Sequence, residues 1–413
     1  MVRGYKTELD LNNEQRTLCL KHAGASRYAY NWGLARSQEV YKLTGKRPTA
    51  IDLHRELNAL KPSQVPWMYE VSKCAPQEAL RDLEQAYRNF YRKLKLKKIG
   101  QWKGKLGFPT WKKRSKAIGS FRLTGSIKVF AKAIQLPRLG RLRLHEKDYL
   151  PTDAKVLNAT VGEQAGRWFV SIQVEEEQDK PVMTAPSAIG VDLGIKTLAT
   201  LSDGTTWQNP RALKHAQKKL RRLERQKSRR KKGSKNRTKT RQAIAKVHAR
   251  IANIRKDATH KLTSHLVKHH AFIAIEDLHV SGMLKNHKLA QAVSDSNFGE
   301  MRRQLEYKAE WQGAHIVTVD RFYPSSKTCS GCGYVKAELS LGERTFVCED
   351  CGMVLDRDLN AAMNLKGVAV SSIDTQNACG AASAGYLATG SETSRVEART
   401  KGDVWALSQM SMF

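Results

Sequence analysis

The sequence predicts an α+β protein of several domains, in which a β-rich half interrupted by helices precedes a half where strands and helices alternate. Three observations support this fold class. The chain has 413 residues, more than one small domain needs. From Phe121 to Glu177 the hydrophobic period shortens from the helical spacing towards two, and beyond residue 186 strand and helix patterns alternate. Two Cys-x-x-Cys pairs then predict a small metal-bound insertion.

The N-terminal half begins with a predicted strand at residues 1–10. Asn12 or Asn13 can cap the helix that follows, which extends to about residue 44. A second helix is predicted to begin at Pro76, because proline favours the first helical position. Four later segments are typical of strands: FRLTGSIKVF, AIQLPRLGRLRL, KVLNATVG and RWFVSIQVEE. Helices are therefore inserted after the first strand of a β-rich unit, and the polar, proline-bearing EEEQDKPVMTAPS predicts a linker beyond it.

The C-terminal half has the alternating pattern. SAIGVDLGIKTLATLSDGTTW predicts strands joined by tight turns, one of them at Gly194. The continuous apolar run of AFIAIEDL predicts a buried strand, and AHIVTVD predicts another, with a helix at about 297–312 between them. From residue 368 to residue 413 the composition is rich in Ser, Ala, Gly and Thr and poor in large apolar residues. We expect this tail to be disordered.

Positive charge dominates the chain. The formal net charge is +33, and residues 211–256 hold twenty Lys or Arg and one acid, Glu224. This stretch predicts two helices that meet near Gly233, and it is either a solvated helical face or a surface that follows phosphates. Because folding gains nothing from such self-repulsion, we expect a nucleic-acid partner. The candidate contacts are Arg221, Arg222, Arg229, Arg230, Lys231 and Lys232.

A membrane location is not expected. The sequence contains no apolar run of roughly 18 residues, and its start, MVRGYKTELD, lacks the apolar core of a signal peptide. Cysteines in Cys-x-x-Cys pairs suit a reducing compartment. We therefore expect a cytoplasmic protein.

Three carboxylates occupy positions that indicate a ligand site. Asp192 in AIGVDLGIK and Glu276 in FIAIEDL lie in apolar strands, where burying a charge is costly unless something binds it. Asp358 falls in the first turn of a predicted helix. Acids on two strands and a final helix can meet at one edge of a sheet, and such a cluster cannot ionise fully at neutral pH without cations. Since Mg²⁺ prefers oxygen ligands, the trio predicts a site for two catalytic Mg²⁺ ions, as in two-metal nucleases.

Each carboxylate also has a structural interpretation. Asp192 could bracket the turn at Gly194, Glu276 could pair with a buried arginine, and Asp358 could cap its helix. Taken singly, these interpretations remain open, and only the combination of the three favours a metal site. Three further acids nearby, Asp277, Asp320 and Asp356, are expected to be structural or to support the ligands.

The cysteine pattern is more specific. CSGC at residues 329–332 and CEDC at residues 348–351 have close to the usual spacing of a zinc ribbon. The ligands would be Cys329, Cys332, Cys348 and Cys351. Four thiolates close a tetrahedral site, so we expect one structural Zn²⁺, the alternative being two unrelated reduced pairs. Cys19 and Cys74 are isolated and are expected to be core thiols.

Several motifs carry a family resemblance. VDLGIKTLAT, IAIEDL, YPSSKTCSGCG and CGMVLDRDLNAAMNL resemble the RuvC-like core of TnpB (OrfB) proteins, which insertion sequences encode and which are relatives of type V CRISPR effectors. FPTWKKRSK followed by SFRLTG resembles the N-terminal half of the same family. The resemblance implies an RNA-guided DNA endonuclease whose RNase H-like fold carries Asp192, Glu276 and Asp358. The family's last acid precedes x-Asn-Ala-Ala, which selects Asp358 over Asp356.

The same resemblance implies a division of the chain. A wedge β-barrel would comprise 1–10 and 118–180, a helical recognition module 11–117, a RuvC-like nuclease domain 186–325 and 353–367 with the basic helical pair 211–268, and a zinc ribbon 326–352. Residues 368–413 would be the disordered tail.

The partners implied are one guide RNA bound to a monomeric protein, and double-stranded target DNA. Base pairing would supply most of the specificity, while the N-terminal modules would recognise a short motif beside the target. Gln77, Arg81 and Thr124 are candidate contacts in that region. Two alternatives share the fold: a guide-directed DNA-binding repressor that does not cleave, and a compact type V CRISPR effector with a guide from an array.

Overall fold

The computed structural model of the protein describes residues 2–114, 118–177, 187–340 and 342–380, with only the backbone described for residues 373–380. The structure combines α-helices with β-strands, and the strands form two large sheets and a small two-stranded one. The first half contains β1 (Val2–Asp10), α1 (Asn13–Thr44), α2 (Ala50–Gln64), a 3₁₀ turn (Pro66–Glu70), α3 (Cys74–Lys98), β2 (Ser120–Leu123), β3 (Lys128–Phe130), β4 (Ala133–Leu136), β5 (Gly140–Leu144), β6 (Lys155–Gln164) and β7 (Arg167–Glu175).

The first sheet has seven antiparallel strands in the order β2-β6-β7-β1-β5-β4-β3. The first strand of the chain thus lies in the middle of a sheet whose other strands follow α3. Alternate residues of the strands face one continuous core, which includes Phe121 from β2 and Ile134 from β4. Because strands near both ends of the order share this core, the sheet curves around it.

Helices α1, α2 and α3 lie between β1 and β2 in the sequence and pack together. The predicted start of α1 is confirmed, since Asn12 Oδ1 accepts a hydrogen bond from Gln15 N at 2.8 Å. The structure begins α3 at Cys74, so the prediction that Pro76 opens this helix is wrong by two residues. Proline is tolerated there because the N–H groups of the first turn have no partner within the helix.

Helix α2 was not predicted. Its N-terminus carries a capping box in which the Thr49 hydroxyl accepts from Asp52 N, and this spacing was available in the sequence. Leu53 and Leu57, one turn apart, are buried against α1 and α3.

The second half contains β8 (Ala188–Leu193), β9 (Thr197–Leu201), β10 (Thr206–Gln208), α4 (Ala212–Arg229), α5 (Lys235–His269), β11 (Phe272–Glu276), α6 (Val280–Met283), α7 (Ala290–Ser296), α8 (Phe298–Gln312), β12 (His315–Val319), β13 (Thr345–Val347), β14 (Val354–Asp356) and α9 (Arg357–Gly380). The helix predicted at about 297–312 and the break near Gly233 are confirmed. Most of the predicted linker, residues 178–186, lies outside the described residues.

The second sheet has five strands in the order β10-β9-β8-β11-β12. The three strands β8, β11 and β12 are parallel, and β9 and β10 are antiparallel to their neighbours. Side chains such as Ile189 and Ile275 face α5 and α8 on one side of the sheet. Phe272 and Ala274 face α9 on the other side. The sheet is therefore covered by helices on both faces.

Helix α9 approaches β8 closely at Gly190. A Cβ atom at this position would lie 2.0 Å from the carbonyl oxygen of Ala362 and 2.4 Å from the backbone nitrogen of Lys366. Only glycine allows the helix backbone to come this near the strand.

The expected disorder from residue 368 is wrong for the first part of the tail. Helix α9 continues to Gly380, because Ala369 is fully buried and Val368 packs beside it against β11 and β12. Residues 381–413 lie outside the described residues. In the part of the chain that is described, no helix is both long enough and apolar enough to cross a membrane.

Candidate functional site

The three predicted carboxylates lie at one edge of the five-stranded sheet. Val191 pairs with Ile275 in the parallel ladder. Asp192 follows Val191 and Glu276 follows Ile275, so the two acids occupy neighbouring positions at the carboxyl ends of adjacent strands. Because side chains alternate along a strand, both share the face of Gly190 and Ala274, which α9 covers. Asp358 is in the first turn of α9, on that same face. All three residues are half-buried.

The surroundings of Asp192 disfavour the charged form of its carboxyl. Burial of the carboxyl, followed by the negative charges of Glu276 and Asp358, raises the pKa of Asp192 from its ordinary value to about 8. The nearby Arg357 guanidinium opposes this shift.

The structural interpretations of the acids can now be compared with their contacts. The helix cap is Asp356, whose Oδ1 accepts from Asp358 N at 2.9 Å and from Leu359 N at 3.1 Å. Glu276 Oε1 accepts from the Ser325 hydroxyl at 2.7 Å, a neutral partner in place of the buried arginine considered above. The Asp358 carboxylate lies 3.4 Å from the Arg357 guanidinium, a side chain on its own helix.

The other nearby acids have structural partners, as expected. Asp277 binds two guanidiniums, Arg302 at 2.6 Å and Arg321 at 2.6 Å. These bonds hold the pKa of the Asp277 carboxyl below its usual range. Asp320 Oδ1 accepts from Phe322 N at 2.8 Å in the turn after β12.

A buried hydrogen-bond network that the sequence did not indicate connects these elements. Asn364 Nδ2 donates to the carbonyl oxygens of Ser325 at 2.8 Å and Thr328 at 2.6 Å. Asn360, one turn earlier on α9, donates to the Thr328 carbonyl at 2.7 Å and accepts from Ser330 N at 3.0 Å. Both asparagines are buried. Since Ser325 also donates to Glu276, the network joins the helix of Asp358 to the strand of Glu276.

The four predicted cysteines form a cluster. Their sulfur atoms lie within 4.8 Å of one another, with Cys329 and Cys351 separated by 3.7 Å and Cys332 and Cys348 by 3.5 Å. Among the described residues, the apolar support near this cluster is a small core around the fully buried Phe346, next to the β13–β14 hairpin. Because this core is small, a metal held by the four thiols would add order to the segment.

The carboxylates are arranged more loosely than the thiols. Within the described ranges, the four thiols are the one group of three or more potential ligand atoms that all lie within 4.8 Å of one another. At least one pair of the three carboxylates is therefore farther apart than that, as expected for like charges. Cys19 and Cys74 are buried core thiols, as predicted.

Comparison with known proteins identifies the family of this chain. The family model OrfB_IS605, described as "Probable transposase", matches residues 171–287. A protein of Streptomyces pristinaespiralis named "Putative RNA-guided DNA endonuclease" is 35% identical over 382 residues, which is 92% of this chain and 91% of the relative. The chain belongs to the OrfB (TnpB) family.

Other relatives of this OrfB-family protein extend the comparison. A protein of Escherichia coli (strain K12), named with the same words and the suffix InsQ, is 34% identical and covers 88% of this chain and 91% of its own. "CRISPR-associated endodeoxyribonuclease Cas12f1" of Sulfoacidibacillus thermotolerans is 22% identical over 51% of this chain and 52% of its own. The model described as "Cas12f1-like, TNB domain" matches residues 298–365. The one described as "Helix-turn-helix domain" matches residues 1–46, where the structure has β1 and the single helix α1.

In this OrfB-family protein, α5 of the basic hairpin packs on the five-stranded sheet, and a buried acid on α7 binds both helices of the hairpin, α4 and α5. Asp295 accepts from the backbone nitrogens of Leu213 at 2.9 Å and Lys214 at 3.1 Å, and it binds Arg255 at 2.8 Å. Among the predicted contact residues, five are exposed on the hairpin: Arg221, Arg222, Arg229, Lys231 and Lys232. Arg230 differs, because its guanidinium donates to the Asn236 carbonyl at 2.6 Å and to Thr240.

The candidates near the helical module lie together. Gln77 is half-buried on α3, one turn beyond Cys74, whose thiol contacts the Thr124 carbonyl at 3.4 Å. Arg81 is exposed one turn further along α3 and pairs with the buried Glu78 at 2.7 Å. Gln77 and Thr124 therefore border the junction between α3 and β2.

Proposed function

We propose that this protein is an RNA-guided DNA endonuclease of a transposon, and that Asp192, Glu276 and Asp358 form its catalytic centre. The observation that carries the proposal is the placement of the three carboxylates on one face of the sheet, beneath the start of α9. Relatives that match about nine-tenths of the chain and are named as RNA-guided DNA endonucleases support the reaction class.

We assign two Mg²⁺ ions to the carboxylate trio. The donor set fits, because all three groups are oxygen ligands and because burial and two neighbouring negative charges raise the pKa of Asp192, a shift that a bound cation would oppose. When bound, Mg²⁺ supplies a lowered pKa for a coordinated water and stabilises charge on the leaving oxygen of a phosphodiester. The chain's own contribution is to hold the carboxylates: Ser325 orients Glu276, and Asp356 caps the helix that carries Asp358.

We assign one structural Zn²⁺ to the four cysteines. A tetrahedral ion with Zn–S bonds of roughly 2.3 Å requires sulfur atoms roughly 3.8 Å apart. The measured separations of 3.5 and 3.7 Å fit this geometry. Four thiolates leave no open position, so the site would order the residues between β12 and α9 and take no part in hydrolysis.

We propose that one guide RNA and double-stranded target DNA are the partners of a monomeric protein acting on cytoplasmic DNA. The exposed cations of the basic hairpin would follow phosphates, and base pairing would select the sequence. The domain division would be the one stated from the resemblance: a wedge module of β1 with residues 118–180, a recognition module of α1–α3, and an RNase H-like nuclease domain with an inserted zinc ribbon. Gln77, Thr124 and Arg81 would contact the motif flanking the target.

Two alternative functions can be distinguished from a transposon endonuclease. A guided repressor without cleavage is disfavoured by the intact carboxylate trio. A CRISPR effector is disfavoured because the Cas12f1 relative matches half of the chain at 22% identity, whereas the transposon-type relative matches 92% at 35%. Sequencing the RNA that copurifies with the protein from cells carrying its native locus distinguishes an element-derived guide from an array-derived one.

The decisive test is guided cleavage of a plasmid by the purified ribonucleoprotein, in Mg²⁺ and in EDTA. Asp192→Ala is expected to reduce the cleavage rate at least about 100-fold while RNA still copurifies. The reason is that removing a metal ligand should lower the rate at least as much as removing a residue that only orients a ligand, which costs about 10- to 100-fold. Asp257→Ala, an exposed acid on α5, is the matched control and should cleave normally. Cleavage at the parental rate by Asp192→Ala, or in EDTA, would refute the assignment.

A further inference from the structure

Phe322 is the most exposed large apolar side chain among the described residues, with 87% of its surface accessible. Scattered apolar residues on a protein surface are ordinary, but most keep part of their surface against a neighbour. A phenylalanine ring left almost entirely in water gains free energy when a partner covers it, so its exposure makes it available to an apolar or aromatic ligand.

The position of Phe322 suggests which partner this is. It follows β12 and precedes Ser325 by three residues, and the Ser325 hydroxyl donates to Glu276 at 2.7 Å. Three residues of extended chain span at most about 11 Å. The Cα atoms of Phe322 and Ser325 are therefore at most about 11 Å apart, on the turn that leads from the sheet to the cysteine cluster, and Ser325 itself contacts one of the three carboxylates.

The backbone around Phe322 is fixed on both sides. Arg321 donates to the Asp277 carboxylate at 2.6 Å and to the Asp277 carbonyl at 3.2 Å. Phe322 N donates to Asp320 Oδ1 at 2.8 Å, and the half-buried Tyr323 packs on the core beneath β11 and β12. The exposed ring is thus held by a braced turn, and little conformational freedom would be lost when something binds it.

We propose that Phe322 stacks on a nucleobase of the strand whose phosphodiester lies at the carboxylate trio. This inference rests on the proposed function and adds a residue that positions the strand. A planar ring accepts any base, because every base has a π-face, so this kind of contact suits a nuclease that cuts sequences chosen by its guide. Stacking would hold the strand in register with the carboxylates and would not depend on base identity.

The test uses the ribonucleoprotein purified from cells that carry the native locus, with Phe322→Ala, Phe322→Leu and Phe322→Tyr. Two readouts are measured on a double-stranded target DNA that matches the guide: kcat and KM for its cleavage in Mg²⁺, and the fluorescence of 2-aminopurine placed along either strand in EDTA. Leu43→Ala, which removes a side chain that is 77% exposed on α1, is the matched control. Thermal melting verifies that every variant folds.

The expected result is that Phe322→Ala and Phe322→Leu raise KM about tenfold, corresponding to about 1.4 kcal/mol, with kcat within about twofold. Phe322→Tyr should restore the wild-type KM, because it restores a ring, and quenching of 2-aminopurine should require Phe or Tyr. Leu43→Ala should match the wild type in both readouts.

Other results separate the two proposals. If the wild type cleaves and Phe322→Leu matches it in both readouts, stacking is refuted and the nuclease assignment stands. If the wild type does not cleave but quenching still requires an aromatic residue at 322, the nuclease assignment fails and the stacking contact stands. If Phe322→Ala instead lowers the sedimentation coefficient of the particle without changing quenching, the ring binds protein, and stacking is refuted.

Discussion

Gly190 has no Cβ, and this allows the helix that carries Asp358 to lie close to the strand that carries Asp192. The absence of a Cβ lets the backbone of α9 touch β8, two residues before Asp192 and in the same helix as Asp358. Gly190→Ala is expected to push the helix away and to lower the free energy of unfolding by about 1–3 kcal/mol, as overpacking does. Guided cleavage should fall more than stability alone explains, because Asp358 moves with the helix.

The control for Gly190→Ala is Gly299→Ala. Gly299 lies in α8, and an added Cβ there meets no atom within 4 Å. That substitution should be neutral or stabilising by up to about 1 kcal/mol. Denaturant titrations of both variants, together with their cleavage rates, provide the comparison. Equal behaviour of the two would show that the close approach of α9 has no consequence for the site.

At the residue scale, the sequence singled out the carboxylates, which the structure places on one face of the sheet, and the cysteines, which it clusters, but not the residues that hydrogen-bond beside them. Asp192 and Glu276 could be predicted because a charge inside an apolar strand violates the local pattern, and the four thiols could be predicted from their spacing. Ser325, Asn360 and Asn364 violate no local pattern. Their hydrogen bonds connect residues 30 to 49 positions apart. Such partners are determined by packing, which no short stretch of sequence specifies.

At the scale of elements, α9 is clamped to the segment that enters the cysteine cluster. Asn364→Ala would leave the Ser325 carbonyl without its Asn364 bond and would loosen the segment that carries the Ser325 hydroxyl. We expect cleavage to fall about 10- to 100-fold, the range for residues that orient metal ligands. The Mg²⁺ concentration for half-maximal rate should rise, which a purely structural loss would not produce. The zinc content, measured by mass spectrometry, should remain one per chain.

Val370→Ala is the matched control on the same helix. Val370 is 40% exposed and is not part of the asparagine network. Its cleavage rate and its Mg²⁺ dependence should equal those of the wild type. A normal Mg²⁺ dependence in Asn364→Ala, with only reduced thermal stability, would mean that the clamp supports the fold and not the carboxylates.

The prediction of helices and strands was limited in the same way as the prediction of residues, because features that depend on packing were missed. Elements with a strong local signature were predicted well, such as α1 with its cap and α8 with its apolar period. The C-terminal part of α9 was missed because its small residues pack against β11 and β12, a contact that composition does not reveal. The order of the seven-stranded sheet, with β1 in its middle, also arises from pairings between residues more than 130 positions apart.

At the scale of the whole molecule, the net charge of +33 is distributed between cations with and without acidic neighbours. Arg36, Arg88, Arg143, Lys155 and Arg167 each have a carboxylate within 4 Å. The exposed hairpin cations Arg221, Arg222, Arg229, Lys231 and Lys232 lie in a stretch with one acid among twenty cations. If charge alone determines RNA binding, both groups contribute equally; if the hairpin follows the RNA backbone, only its own cations do.

This difference can be measured by replacing each group of five with glutamine and titrating RNA binding against salt. A single strand loses about 0.7 in the slope of log K against log salt for each phosphate contact removed. The hairpin variant should therefore lose a slope of about 3, whereas the ion-paired variant, with the same change in net charge, should lose less than about 1. Two equal decreases would contradict a local phosphate-binding role for α4 and α5 and would leave only the overall charge to explain RNA affinity. A decrease confined to the hairpin variant would locate the RNA on α4 and α5, of which α5 packs on the sheet that carries Asp192 and Glu276.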